Sequence, residues 1–273
     1  MQSKTNSILK AILFCVAFTI LFILFSFSKN FLPSQFERLG HGILGTVAAL
    51  LTTLIFLKVD KASFADIDLV WERKTIIRFL AGMLTGIVIM GALAAGVLYF
   101  SNVTVEANAA GNVGSFLLMT LPLIPLALME ELGFRAYPLQ MVQNKVGIRL
   151  AIIITSILFA LYHIVNGWTV VSSFLGPAIW GLVFGLAAVY SKGIAMPTGL
   201  HYAANLTTAA FATNADSNSL WIVTPSPDAT TKTSGIDWAI LLPALALLIF
   251  AIACLELYMK RRKTVNKLLP TTE

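Results

Sequence analysis

Two acids, two histidines and a carboxamide are the residues of this chain that could do chemistry. A run of fifteen uncharged residues, Ser115 to Met129, ends at adjacent Glu130 and Glu131, and Arg135 follows four residues after the second. Only three histidines exist in 273 residues. His163 closes the string Phe159-Ala160-Leu161-Tyr162-His163, and His201 opens His201-Tyr202-Ala203-Ala204-Asn205. The third, His41, begins an apolar run and needs no function there.

Spacing assigns roles. Residues four apart share a helix face, so Phe159 projects with His163, His201 with Asn205, and Glu131 with Arg135. Neighbours on a helix diverge by about 100°, so Glu130 and Glu131 cannot share a face. Glu131 is therefore expected to neutralise Arg135 as scaffold, and Glu130 to turn toward the histidines. A carboxylate withdrawn from water suits proton transfer near neutral pH, and with a neutral imidazole it can polarise one water. A second imidazole and an amide N–H can donate to the oxygen of a carbonyl under attack. Such a set hydrolyses an amide without a covalent intermediate. No G-x-S-x-G and no H-E-x-x-H is present, so serine-nucleophile and zincin chemistry lack their signatures. No cofactor is expected. Zinc on Glu130, His163 and His201 is the alternative that two histidines and a glutamate leave open.

The elements that must hold these residues are membrane helices. The chain is 58% hydrophobic and 12% charged, half the charge of a soluble domain, with a mean hydropathy of +0.84. Eight apolar segments predict an all-α, polytopic bundle of about eight transmembrane helices: Ile8–Phe27, Leu39–Leu57, Ile76–Phe100, Val113–Tyr137, Leu150–Val165, Val170–Tyr190, Ile194–Ala212 and Trp238–Met259. The first is too long for the apolar core of a signal peptide. With a cytoplasmic N-terminus, 16 of the 19 Lys and Arg residues fall on the inner side, which predicts both termini in the cytoplasm. Net charge of +6 is thus explained by topology and anionic lipid, and nucleic acid is not an expected partner.

Finer features follow. Gly82 and Gly86, like Gly181 and Gly185, mark close helix packing within the bundle rather than a dimer face. Pro122 and Pro125 should bend the fourth span just before Glu130. Lys58 to Lys74 reads as an interfacial segment, and Thr213 to Asp237 as a long external polar loop. Cys15 and Cys254 sit inside apolar runs as inert thiols. The alternative for Glu130, Glu131 and Arg135 is an ordinary charged helix end at the headgroups, with Ala136 to Asn144 as its interfacial tail.

The pattern E-E-x-x-x-R, F-x-x-x-H and H-x-x-x-N, in that order on separate membrane helices, resembles the CPBP (Abi) family of intramembrane proteases. That family includes the type II CAAX prenyl endopeptidases and bacterial relatives linked to bacteriocin self-immunity. Glu130, Glu131, Arg135, Phe159, His163, His201 and Asn205 all match, within Ser115 to Ala212. The resemblance implies a glutamate-dependent endopeptidase, in which Glu130 and His163 activate water while His201 and Asn205 form the oxyanion site. Residues 1–273 are expected to be one transmembrane domain with a catalytic core at 115–212. The partners expected are the bilayer and a membrane-tethered, possibly prenylated or bacteriocin-type, peptide or protein. The location expected is a bacterial plasma membrane, with the site open to the cytoplasm. His201 lies about 10 Å from the cytoplasmic edge, whereas His163 is fourteen residues past Arg149, about 21 Å along its helix, which demands tilt. A proton-coupled transporter and a non-catalytic immunity or binding protein are the rivals. The transporter would show repeat symmetry, and the polar residues, confined to the fourth, fifth and seventh spans, show none.

Overall fold

The computed structural model describes residues 3–101, 103–213, 218–225 and 238–268. Its helices are α1 (Lys4–Ser26), α2 (Glu37–Asp60), α3 (Thr75–Phe100), α4 (Val113–Thr120), α5 (Leu123–Glu131), α6 (Tyr137–Val146), α7 (Ile148–Val165), α8 (Val170–Ser173), α9 (Ile179–Ser191), α10 (Ala195–Ala210) and α11 (Trp238–Leu268). Among the described residues, seven helical stretches are long and apolar enough to cross a membrane. The expected eighth is α10, whose 16 residues span about 24 Å against about 30 Å of hydrocarbon. It is also among the more deeply buried helices, with the unbroken run Pro197 to Ala204 buried. The protein is an all-α integral membrane protein.

The surface confirms the solvent. Leu9, Leu13, Ile20, Leu24, Leu84, Val88 and Ile249 are exposed, an apolar belt that water would not tolerate and lipid requires. Inside, the hydroxyls of Thr52, Thr53, Thr120, Thr155, Ser156 and Thr198 each donate to the carbonyl four residues back. A helix in hydrocarbon has no water to offer them.

The ends of the bundle differ. One gathers Lys10, Asp60, Asp68, Gln140, Arg149, Lys192 and Glu256, and we call it the basic end. There the Lys10 ammonium pairs with Asp60, the Tyr137 hydroxyl donates to Asp60 Oδ2 at 2.6 Å, and Gln140 Nε2 donates to Asp68 Oδ2 at 2.9 Å. Arg149 grips Glu256 through two bonds of 2.6 Å, joining α7 to α11. The segment between α2 and α3 forms a short 3-10 turn, Phe64–Ile67, that buries Ile67. At the opposite end Lys29 Nζ donates to His41 Nδ1 at 3.0 Å. Three strands also lie in the described residues: β1 (Val103–Ala107), β2 (Phe211–Ala212) and β3 (Trp221–Pro225). They pair in the order β1-β3-β2, antiparallel and then parallel. The stretch expected as a plain external loop thus contains a strand, and its residues 214–217 and 226–237 lie outside the described ones.

Close approach explains how α10 is seated. A Cβ on Gly82 would lie 2.0 Å from the Met196 carbonyl oxygen, and one on Gly199 would lie 2.0 Å from that of Phe79. Gly86 similarly faces Leu200 and Ala203. The glycines of α3 therefore pack inside the chain, as expected, and let α3 press directly on the helix that carries His201.

Candidate active site

The acids ride on a broken span. Residues Val113–Val146 form one continuous crossing of 34 residues built from α4, α5, a π turn at Leu132–Ala136 and α6. Pro122 and Pro125 interrupt it as expected. The carbonyls they leave without a donor are taken up by tighter bonds: Leu121 N donates to Leu118 O at 3.3 Å and Ile124 N to Leu121 O at 3.0 Å. Farther on, Pro138 removes another donor. The π turn stands just before it, and the Cys15 thiol approaches the Gly133 carbonyl at 3.9 Å. The span does not end in headgroups. Tyr137, Pro138, Leu139, Gln140 and Val142 are buried, so Glu130, Glu131 and Arg135 lie within the bundle and the reading of an ordinary charged helix end fails.

Glu131 is sealed, with a side chain 0% exposed, whereas that of Glu130 is 12% exposed. Of the two acids, Glu130 alone keeps an accessible edge. The Arg135 guanidinium is fully buried and lies 3.5 Å from Glu131 Oε2. Three rings box it in: its Cζ is 4.2 Å from the Phe159 centroid, 5.4 Å from Phe184 and 5.8 Å from Phe134. Desolvated cation–π contacts contribute about 1–2 kcal/mol each at best. They supply part of what a buried arginine with one counter-ion lacks.

The expected division of labour between the two acids needs correction. Glu131 Oε1 accepts from His201 Nδ1 at 2.8 Å, while His201 Nε2 stands 3.5 Å from Glu130 Oε2. His201 thus bridges both glutamates, and Glu131 serves histidine and arginine together. The π turn explains the miss. It bonds residue i to i+5, so residues four apart no longer stack squarely. Glu131 and Arg135 stay 3.5 Å apart, and the second carboxylate oxygen turns to α10. The His201 ring also stacks on Phe184, with centroids 4.4 Å apart and planes at 16°. Phe184 went unnoticed in the sequence because nothing in Gly181-Leu182-Val183-Phe184-Gly185 separates it from ordinary apolar filling.

His163 is half-buried in the last turn of α7. Its Nδ1 lies 2.9 Å from the Phe159 carbonyl. A carbonyl only accepts, so Nδ1 carries the proton and Nε2 presents a lone pair. The Phe159 ring stands between the two histidines, with centroids 4.6 Å from His163 and 6.1 Å from His201. Glu130, expected to work with His163, directly approaches His201 instead. No described atom of His163 bonds to either glutamate. Asn205 lies one turn beyond His201 and is half-buried. Among the described residues no group of three His, Cys, Asp or Glu is arranged to hold a metal.

Residues 112–207 match the family of type II CAAX prenyl endopeptidases, Rce1-like. The match contains every one of the seven motif positions and shows the resemblance read from them. This Rce1-like segment supports a CAAX-type intramembrane protease, with a peptide or protein as substrate and the membrane as its setting. No curated protein matches the chain. The Rce1-like segment covers α4 to α10 almost completely, the part of the bundle that holds both acids, both histidines and the asparagine.

Proposed function

We propose that the protein is an endopeptidase that hydrolyses a peptide bond of a membrane-tethered substrate by water activated at Glu130 and His163. The observation that carries this reading is the buried chain Arg135, Glu131, His201, Glu130, ending on the only acid of the set that solvent touches. Glu131 accepts the Nδ1 proton of His201, and His201 Nε2 faces Glu130 Oε2 at 3.5 Å. A proton on that Nε2 makes His201 a donor there, as an oxyanion site requires. Asn205, on the same face of α10, supplies a second N–H. His163 is fixed in the opposite sense: its Nε2 lone pair accepts from water.

The reaction balances simply. Water oxygen bonds to the carbonyl carbon, and the proton it sheds passes to Glu130. The carbonyl oxygen takes negative charge against His201 and Asn205. The C–N bond then breaks, and the amine leaves with the proton held by Glu130, giving a carboxylic acid, which ionises by releasing its proton to solvent, and an amine. We assign the basic end to the cytoplasm from the distribution of lysine and arginine, and we infer that substrate arrives from that side. A prenylated or bacteriocin-type tail held at that surface would present its peptide bond there.

The test is cleavage of a membrane-tethered fluorogenic peptide by the purified protein in lipid. Glu130→Gln should lower the rate by about 10²–10⁴-fold, the usual contribution of general-base catalysis, with unfolding unchanged. Full activity in that variant refutes the proposal. Substrate uptake into vesicles, lost in the same variant, would revive the transporter.

A further inference from the structure

A cleft lies among α3, α9, α10 and α11. It has a volume of about 350 Å³ and is walled by Thr85 and Ile89 of α3, Val183 and Ala187 of α9, Met196 and Leu200 of α10, and Phe250 and Cys254 of α11. Its lining is apolar along most of its length. At the basic end it finishes in Tyr190, Tyr258 and Arg261, whose two tyrosine rings meet edge to face at 6.3 Å. From Phe250 to Arg261 the cleft runs about 16 Å along α11, which is the depth of one bilayer leaflet. It is thus greasy for the length of an acyl chain and polar at the level of a headgroup. Lys260, Arg261, Arg262 and Lys263 are all exposed, and no described acid pairs with them at salt-bridge distance. A basic pocket between helices beneath a polybasic helix end is a setting that attracts anionic headgroups.

We propose that this cleft is a phospholipid site, holding one acyl chain among α3, α9, α10 and α11 with an anionic headgroup phosphate on Arg261. The cleft does not depend on the hydrolytic reading, but it touches the same helices. Leu200 precedes His201, and Val183 precedes Phe184, the ring on which His201 stacks. A chain in the cleft therefore backs the wall that positions His201.

Cys254 makes the site measurable. It is partly exposed within the cleft, whereas Cys15 is buried. The full chain would be placed in nanodiscs of phosphatidylcholine alone or with equimolar phosphatidylglycerol, and alkylation of Cys254 by a membrane-permeant maleimide followed, with Cys254→Ser as the background. Association of nitroxide-labelled phosphatidylglycerol, relative to labelled phosphatidylcholine, would be read by electron paramagnetic resonance. Phosphatidylglycerol should slow alkylation and be preferred about fivefold, the effect of one basic side chain at the surface. Arg261→Gln should abolish both effects. Arg262→Gln, which removes the same charge outside the cleft, should leave both in place, and Ala187→Phe, which fills the cleft, should remove the lipid preference while keeping the fold. Equal losses in Arg261→Gln and Arg262→Gln would reduce the effect to general surface attraction and overturn the proposal. Absence of any headgroup preference in the unaltered protein would also overturn it.

Discussion

If Glu131 orients His201 as well as neutralising Arg135, the two duties can be separated by a double variant. Glu131 is fully buried, 3.5 Å from the Arg135 guanidinium and 2.8 Å from His201 Nδ1. Glu131→Gln removes the counter-ion and leaves a buried arginine held only by three aromatic faces. Breaking a buried pair from one side costs about 3–5 kcal/mol. Arg135→Met, which puts a flexible apolar chain into the box of Phe134, Phe159 and Phe184, should cost a similar amount by stranding Glu131. Together, Glu131→Gln with Arg135→Met leaves no unpaired charge. Most of the lost stability should then return, because replacing both members of a buried pair is often nearly neutral.

Activity should not return with it. The amide that replaces Glu131 can still accept the Nδ1 proton, but it carries no charge to hold a proton on His201. Loss of one oxyanion donor lowers turnover by about 10²–10³-fold, equivalent to about 2.7–4 kcal/mol of transition-state stabilisation. The assays are thermal unfolding in detergent and peptide cleavage per folded molecule. A double variant that recovers stability yet stays about 10²-fold slow supports two duties. Recovery of both would show that Glu131 is only the partner of Arg135, and the bridge to His201 would carry no function.

Other perturbations test the supports. Gly199→Val should force α3 and α10 apart, since a Cβ there meets the Phe79 carbonyl at 2.0 Å; overpacking of this kind costs about 1–3 kcal/mol, and both unfolding temperature and cleavage should fall. Phe184→Leu keeps the apolar volume but removes the face under His201 and beside Arg135; a loss of about 1 kcal/mol in stability should come with a larger fall in kcat than in 1/KM. Asp66 accepts from the Ser63 amide and hydroxyl, each at 2.7 Å, which holds its carboxyl below the ordinary 3.8. A carboxyl lowered by folding contributes stability that is complete above its ordinary value and lost as pH falls through the folded one. Hydrogen exchange of the Phe64–Ile67 turn should therefore quicken below about pH 3.8 and, in Asp66→Asn, lose that dependence.

Much of the fold was legible because its determinants are local. Apolar runs of membrane length, ends marked by lysine and arginine, and proline at a kink all act within one helix, so their positions in the chain suffice. The misses follow the same logic. The span expected to stop near Tyr137 continues through Val146 because Asp60 and Asp68, far away in sequence, give Tyr137 and Gln140 their partners. A segment reads as an interfacial tail when its polar side chains have no visible use, and as a buried helix once they do. The strand at Trp221–Pro225 likewise depends on Val103–Ala107, more than a hundred residues earlier.

The site divides along the same line. Spacing of three and four picks out which side chains share a face of one helix, and the expectation for Glu130, His163, His201 and Asn205 rests on it. It cannot say which face of α10 meets which face of α5. Nor does it foresee that a π turn rotates Leu132 to Ala136 off the 100° step on which the argument rested. The turn lets one acid serve both an arginine on its own span and a histidine on another, while its neighbour keeps an edge toward solvent. Adjacent Glu130 and Glu131 diverge on α5, and both reach one imidazole because α10 approaches between their directions, seated against α3 through Gly82 of α3 and its own Gly199. The seating of His201 thus depends on glycines that carry no chemistry, Gly82 against Met196 and Gly199 against Phe79, and substitution there should shift His201 from the glutamates before it unfolds the bundle.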